Sequence, residues 1–195
     1  GGAAVAWPRA NIHDFGGDPS FVAVAGCSAG GHLAALTGLA PHDAEFNVEL
    51  ASSADPSVDA VVSFYGRYDW TDRSTRDRDE FVGFLENVVV RKSMQHHREV
   101  FDNASPITRI HPDAPPFLVI HGDADHVIPV QEAQAFVTQL RAVSTSAVHY
   151  LEIPAAGYGF DLTDRWSTQA AIEATSQFLE TVRCNHKSRL RLEVV

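Results

Sequence analysis

Three short segments of the sequence carry side chains that could do chemistry together. The first segment is Gly-Cys-Ser-Ala-Gly, with Ser28 at its centre. It follows an apolar, β-prone run and opens a helix-forming run, which is the context in which Gly-x-Ser-x-Gly indicates a nucleophile elbow. Such a turn lifts the serine hydroxyl clear of the strand. The N–H of Ala29 would lie at the helix N-terminus, where it could stabilise an oxyanion.

Positions 26 and 30, on either side of the serine, are expected to require a small residue such as glycine so that strand and helix can pack closely. Two other interpretations of this segment stay open. One is a glycine-rich turn with no catalytic role. The other is a phosphate-binding loop, which is disfavoured because this segment lacks both the Lys-Ser/Thr pair of a P-loop and the Gly-x-Gly-x-x-Gly spacing.

The second segment, His-Gly-Asp-Ala-Asp-His, offers two carboxylates, Asp123 and Asp125, and the third, Gly-Tyr-Gly-Phe, contains Tyr158. A carboxylate in such a loop could also be a simple loop cap. A metal site made of these two aspartates with His121 and His126 is a weaker alternative, because neighbouring residues in one loop rarely converge on one ion. We therefore expect no metal and no cofactor.

Apolar runs and turn residues predict strands and helices that alternate along the chain. Helices are expected over residues 3–13, 29–39, 130–142 and 167–183, and strands over 21–26, 58–65, 116–121 and 147–153. Residues 81–105 are compatible with helix, and residues 72–80 are a mixed-charge solvated run. Pro8 is an unfavourable residue for the first of these helices, because proline is tolerated in the first turn but is costly inside a helix.

This alternation predicts the α/β class, with a parallel sheet and crossover helices on both faces. Ligands of such sheets bind at the carboxyl ends of the strands. Ser28, Asp125 and Tyr158 all fall in loops at those ends, which favours a functional role for them.

The length of 195 residues suits a single domain, and 45% hydrophobic with 21% charged residues describes an ordinary soluble globular protein. The formal net charge of −10 argues against a nucleic-acid partner or an anionic membrane. No apolar run is long enough to span a bilayer. Of the two cysteines, Cys27 is expected to be a small buried hydrophobe, and a disulfide with Cys184 is not expected.

Five segments resemble the α/β-hydrolases, specifically the esterase/lipase branch related to hormone-sensitive lipase. In the order of that family they are FGGDP, GCSAGGH, SFYGRYDW, HGDADHVIP and AAGYGFD. The resemblance implies that Ser28 attacks a small carboxylic ester and forms an acyl-enzyme, and that Asp125, rather than Asp123, is the acid of the triad. Pocket residues could then include Tyr65, Tyr68 and Trp70, although ordinary packing is an equally open interpretation for them.

The sequence departs from the family pattern at two places. Tyr158 stands where the family has its catalytic histidine, and a phenol is a poor acceptor of the serine proton at neutral pH. His32 or His126 could substitute only by an unusual arrangement. The His-Gly-Gly oxyanion loop and the strands that precede the elbow are also absent, so that one flank of the elbow strand is expected to be open.

The sequence therefore predicts the carboxyl-terminal part of an esterase with impaired activity. A non-catalytic binding protein, or an inactive fragment, is the alternative. We expect a soluble and cytoplasmic protein. The chain does not begin with Met, so an upstream targeting segment is left open. The sequence does not indicate the oligomeric state.

Overall fold

Four parallel strands form the centre of the computed structural model, which describes residues 2–48, 50, 51 and 53–193. The strands lie in the order β1-β2-β3-β4, so each strand pairs with its neighbour in sequence. The predicted parallel α/β sheet is confirmed, and each predicted strand is found within two residues of its expected ends. The strands are β1 (Ala23–Cys27), β2 (Ala60–Phe64), β3 (Phe117–Gly122) and β4 (Val148–Ile153).

Helices precede, connect and follow the strands, and most of them match the predicted positions. Two regions differ. Residues 81–105 do not form one helix but contain the end of a helix (Arg76–Phe84), a π turn (Leu85–Val89) and a second helix (Arg98–Ala104). The last helix runs on through the basic tail, which had no predicted structure. The helices are α1 (Gly2–Asn11), α2 (Ala29–Leu39), α3 (Arg76–Phe84), α4 (Arg98–Ala104), α5 (Gln131–Val143), α6 (Phe160–Thr163) and α7 (Arg165–Glu193).

Pro8 lies inside α1 and not in its first turn. Because proline has no N–H, it removes one hydrogen bond from the helix. The next residue, Arg9, holds this segment in place: its guanidinium donates to the Asp59 carboxylate at 2.7 Å and to the carbonyl of Pro19 at 3.0 Å. Tertiary contacts thus compensate for a locally unfavourable residue.

The sheet separates two apolar clusters, one on each face. Successive residues of β3 point to opposite clusters: Phe117 packs with Phe136 of α5 on one face, and Ile120 packs with Phe178 of α7 on the other. All six residues of β3 are buried. This arrangement confirms that helices cover both faces, as expected for a near-continuous apolar strand.

The strand β1 lies at one edge of the sheet and, within the described part of the chain, pairs only with β2. Its side chains alternate, and Ala23, Ala25 and Cys27 are exposed. The open flank predicted for the elbow strand is therefore present. Cys27 was expected to be buried, and that expectation is wrong: its side chain lies on the edge strand, where it contacts the Asp161 carboxylate at 3.8 Å but stays exposed.

Within the same described residues, no helix has the length and apolar character that crossing a membrane requires.

Candidate active site

Ser28 occupies the sharp turn between β1 and α2. Its backbone has φ +57° and ψ −119°, a conformation that L-residues adopt only under strain. The Ser28 N–H donates to the carbonyl of Phe64 at the end of β2, at 3.0 Å, and this bond holds the turn against the neighbouring strand. The side chain is half-exposed at the carboxyl edge of the sheet. The geometry is that of a nucleophile elbow.

The glycines around Ser28 differ in what they allow. A Cβ on Gly26 would lie 2.3 Å from the carbonyl oxygen of Gly30, so no side chain fits there. A Cβ on Gly30 would meet no atom within 4 Å, which contradicts the expectation that this residue must be small for packing. Gly31 is the tight position on the helix side, since its Cβ would lie 2.5 Å from the Phe64 carbonyl oxygen.

Ala29 is the first residue of α2. Its N–H therefore belongs to the first turn of the helix, where backbone N–H groups have no intrahelical acceptor and the helix dipole favours negative charge. This N–H follows Ser28 directly, so it is placed where the oxyanion of a tetrahedral intermediate would need a donor.

Tyr158 lies directly against the serine. Its hydroxyl is 2.5 Å from Ser28 Oγ, and either oxygen can donate in this hydrogen bond. The Tyr158 side chain reaches this point from the loop after β4 and remains 42% exposed. The residue expected at the histidine position of the triad is thus in contact with the residue expected to be the nucleophile.

Asp125 is buried in the loop that follows β3. Its Oδ1 accepts hydrogen bonds from the N–H groups of Val127 and Ile128, both at 2.8 Å. Burial alone would raise the pKa of Asp125, but the contact with His121 and these N–H donors outweigh it and hold the pKa below its usual value. Asp125 is therefore ionised at neutral pH.

The second oxygen of Asp125, Oδ2, is buried and has no hydrogen-bond partner among the described residues. His121 Nε2 lies 3.4 Å from it but only 2.9 Å from the Ile128 carbonyl oxygen, which is its better acceptor. A buried carboxylate oxygen without a donor is unfavourable. In a triad this oxygen would accept the second N–H of the histidine ring.

The loops after β3 and β4 are joined to each other. The Ala124 N–H donates to the Ala156 carbonyl at 3.1 Å, and the Ala155 N–H donates to the carboxylate of Asp123 at 2.6 Å. Asp123 is thereby engaged in binding the other loop, whereas Asp125 keeps a free oxygen. These contacts distinguish the two carboxylates in favour of Asp125, and they make its loop the neighbour of the Tyr158 loop.

The three aromatic residues considered for a pocket lie in different places. Tyr65 is buried beneath Tyr158, with ring centroids 5.3 Å apart. Tyr68 is fully buried in the core, where it stacks on Phe136 at 4.3 Å, so the structure assigns it to packing and not to a pocket. Trp70 stacks on His32 at 4.7 Å.

The two histidines considered as substitute bases do not contact Ser28 in a catalytic arrangement. His32 is buried in α2, its Nδ1 is 2.8 Å from the Arg67 carbonyl oxygen, and desolvation by burial lowers its pKa. His126 is exposed in the loop after β3. The described residues also contain no group of three or more His, Cys, Asp or Glu arranged to hold a metal ion.

Two residues near the site had no predicted role. Asp161 accepts a hydrogen bond from the Tyr65 hydroxyl at 2.5 Å. Arg67 is buried and donates to Glu132 Oε1 and to the Val127 carbonyl, both at 3.1 Å. Both lie in segments that carry the family resemblance, but their partners are distant in sequence, so only the fold reveals these contacts.

A cavity of about 850 Å³ lies elsewhere in the structure and does not contain Ser28. It lies at the opposite, amino-terminal edge of the sheet, between α7 and the segments that lead into β2, β3 and β4. Ligands of parallel sheets bind at the carboxyl edge. The candidate site is therefore chosen from the strained serine at the carboxyl edge and not from cavity volume.

Comparison with known proteins gives both relatives and structural neighbours. Esterase LipC of Mycobacterium tuberculosis (strain ATCC 25618 / H37Rv) is 58% identical over 186 residues, which is 95% of this chain and 45% of that protein. The probable carboxylic ester hydrolase LipM of the same organism is 42% identical over 179 residues, covering 92% of this chain and 41% of that protein. The chain thus spans less than half the length of these curated relatives.

A solved structure of similar fold is the thermophilic esterase Est2 of the Planctomycetes species Thermogutta terrifontis. It superposes with a TM-score of 0.73 and 22% identity, and the match covers 92% of this chain and 61% of that one. The family described as BD-FAE matches residues 2–140, which is well over half of the chain. The chain therefore belongs to the BD-FAE family, and its fold is the α/β-hydrolase fold of esterases that the sequence resemblance predicts.

Proposed function

We propose that this chain forms the nucleophile and acid portion of a serine carboxylic-ester hydrolase site that acts on small esters. The observation that carries the proposal is the contact of 2.5 Å between Ser28 Oγ and the side chain at position 158. It joins a strained elbow serine to the position where a general base is needed. The esterase names of the relatives LipC and LipM support the same reaction class.

The proposed reaction proceeds through an acyl-enzyme. Ser28 Oγ attacks the ester carbonyl carbon while its proton moves to the base, and the Ala29 N–H stabilises the resulting oxyanion. The tetrahedral intermediate collapses as the base returns the proton to the departing alcohol. Water then repeats the sequence on the acyl-serine and releases the carboxylic acid. Asp125 supports the base by accepting its second N–H.

In this chain the base is missing from that scheme. Tyr158 can hold Ser28 by a hydrogen bond, but a phenol has a single O–H and therefore no second donor to offer Asp125. Loss of a triad histidine can cost on the order of 10⁶ in turnover and leave about 10³–10⁴ over water. We therefore expect the chain as written to be a weak esterase.

The first experiment compares the chain with its Tyr158→His variant in hydrolysis of p-nitrophenyl butyrate. In the proposed scheme, an imidazole at this position accepts the Ser28 proton with one nitrogen and donates to Asp125 Oδ2, which has no partner, with the other. We expect kcat to rise by at least about 100-fold, since general-base catalysis contributes about 10²–10⁴.

Two controls accompany this variant. Ser28→Ala in either background should abolish the activity, and Tyr158→Phe, which removes the hydroxyl alone, should show no gain. A folded Tyr158→His variant, checked by circular dichroism, that is no faster than its Ser28→Ala blank would contradict the proposed reaction. High activity of the unaltered chain that disappears in Ser28→Ala would contradict the expected impairment.

A non-catalytic binding role is the second candidate, and the same contact favours it. The Tyr158 hydroxyl already satisfies Ser28 Oγ, so the serine is a bound polar group and not a free nucleophile. This role predicts that a short-chain ester raises the thermal denaturation midpoint of the unaltered chain without being hydrolysed. Hydrolysis by Tyr158→His with no such stabilisation of the parent would count against it.

A further inference from the structure

Tyr65 occupies the position immediately after β2, at the same carboxyl edge as Ser28. Its backbone has φ +36°, which is unusual for a residue with a bulky side chain. The Tyr65 N–H donates to the Ile120 carbonyl at 2.8 Å, and this bond fixes the strained turn to β3. The side chain is only 3% exposed. Strain at a non-glycine residue beside a site points to a role that offsets its cost.

The side chain of Tyr65 contacts three residues of the segment that carries position 158. Its ring meets Tyr158 edge-on, with centroids 5.3 Å apart, and meets Phe160 in the same way at 5.5 Å. Its hydroxyl donates to Asp161 Oδ1 at 2.5 Å. We call residues 154–161 the β4 segment. Tyr65 thus contacts the β4 segment both at the residue that faces Ser28 and at two residues that follow it closely.

The hydroxyl of Tyr65 is not needed for packing. The ring belongs to the apolar cluster on the α7 face, and phenylalanine would fill the same volume. Burial first, and then the hydrogen bond to Asp161, raise the pKa of Tyr65, so the phenol stays protonated and donates at any ordinary pH. A buried polar group retained in an apolar cluster is retained for its hydrogen bond.

We infer that Tyr65 and Asp161 form a positioning pair that sets where the side chain at position 158 lies relative to Ser28 Oγ. Neither residue touches the ester carbonyl. Their hydrogen bond fixes the β4 segment, and the tyrosine ring forms the surface against which the ring at position 158 rests. The inference rests on the proposed function for its catalytic consequence, but the positioning itself is a property of the chain as it is.

The chain contains a matched control. Tyr150 on β4 also donates to a carboxylate, Glu152 Oε2, at 2.6 Å. It packs on the other face of the sheet, against the cluster that contains Phe136 of α5. Tyr65→Phe and Tyr150→Phe therefore remove the same kind of hydrogen bond, in one case beside the site and in the other case away from it.

The first test uses the Tyr158→His background and p-nitrophenyl butyrate. Adding Tyr65→Phe should lower kcat by about 10- to 100-fold, because a displaced base loses its alignment, while KM changes by less than about twofold. Asp161→Asn should do the same to a smaller extent. Adding Tyr150→Phe should leave both constants unchanged. Equal losses for Tyr65→Phe and Tyr150→Phe, or a loss confined to KM, would overturn the inference.

The second test does not depend on activity. Amide hydrogen exchange is measured on the unaltered chain and on the two phenylalanine variants. We expect Tyr65→Phe to raise exchange in the β4 segment by at least about 10-fold, and Tyr150→Phe to leave it unchanged. If Tyr158→His proves inactive, the proposed function fails, and this measurement alone decides the inference. Unchanged exchange in Tyr65→Phe would overturn it.

Discussion

The two loops that carry Asp125 and Tyr158 follow neighbouring strands, yet they are held in different ways. Backbone hydrogen bonds and buried charges hold the β3 loop (residues 123–130), in which Asp125 accepts from two main-chain N–H groups. The β4 segment is joined to the β3 loop at Ala155 and Ala156, but around Tyr158, which is 42% exposed, it is held by aromatic contacts and by side-chain hydrogen bonds. Both loops present a side chain toward the site, but only the β3 loop depends on the identity of that side chain for its own structure.

This difference explains how a tyrosine is accommodated at position 158. A substitution at Asp125 would leave two N–H groups without their acceptor, which costs free energy of unfolding directly. A substitution at position 158 should cost less, because the side chain is 42% exposed and the Ser28 hydroxyl that it contacts is itself only half-buried. The residue at position 125 therefore contributes to the stability of its loop, whereas the residue at position 158 contributes little to the stability of the β4 segment.

The largest expected effect comes from removing the charge that anchors the β3 loop. Arg67→Met removes the donor to the Val127 carbonyl and leaves the buried Glu132 without its closest partner. Breaking a buried pair in this way should lower the free energy of unfolding by about 3–5 kcal/mol. Urea denaturation measures the change.

Arg73→Met is the control for this variant. Arg73 also pairs with two carboxylates, those of Asp79 and Glu86, but it lies toward solvent, so its loss should cost less than about 1 kcal/mol. Equal costs for Arg67→Met and Arg73→Met would show that the β3 loop is not held by a buried charge.

A smaller effect is expected where the two loops touch. A Cβ on Gly122 would lie 2.1 Å from the Ala156 carbonyl oxygen, so Gly122→Ala must push the loops apart. Overpacking of this kind costs about 1–3 kcal/mol. Gly157→Ala is the matched variant in the β4 segment, since its Cβ would meet nothing closer than the Ala124 carbonyl oxygen at 3.8 Å. Thermal denaturation should show a larger loss of stability for Gly122→Ala than for Gly157→Ala. Comparable losses would mean that both positions tolerate an added Cβ equally.

The smallest effect is a dependence of stability on pH. The pKa of Asp125 is lowered in the folded chain, so its contribution to stability is complete above the unfolded pKa, near 3.9, and is lost as pH falls through the lower folded value. Denaturation curves between about pH 5 and pH 2 should therefore converge for the unaltered chain and Asp125→Asn. Curves that stay parallel over this range would show that Asp125 ionisation does not stabilise the β3 loop.

The sheet and the elbow could be predicted from the sequence because their signals are local. The runs that form β2 and β3 are nearly continuous in apolar residues, which is typical of strands buried on both faces. The elbow signal is also local, since a glycine, a serine and a helix-forming run follow one another. These patterns need no knowledge of what packs against them.

The features that could not be predicted depend on contacts between distant residues. The exposure of Cys27 follows from the edge position of β1, and strand order cannot be read from one strand. A side chain would fit at Gly30 but not at Gly31, because Gly31 is the residue that lies against the Phe64 carbonyl. The roles of Arg67 and Asp161 follow from partners that lie 60 and 96 residues away, in Val127 and Tyr65.

The exposed thiol of Cys27 has a practical consequence for inhibitor studies. Partial desolvation and the nearby Asp161 carboxylate raise its pKa, so the thiol has no feature of an activated nucleophile. Yet it precedes Ser28 directly, and a bulky alkylating reagent attached there would obstruct the serine. In the proposed esterase, loss of activity after alkylation would report crowding at the elbow and not cysteine chemistry. The same thiol offers an attachment point for a fluorescent or spin label one residue away from the nucleophile.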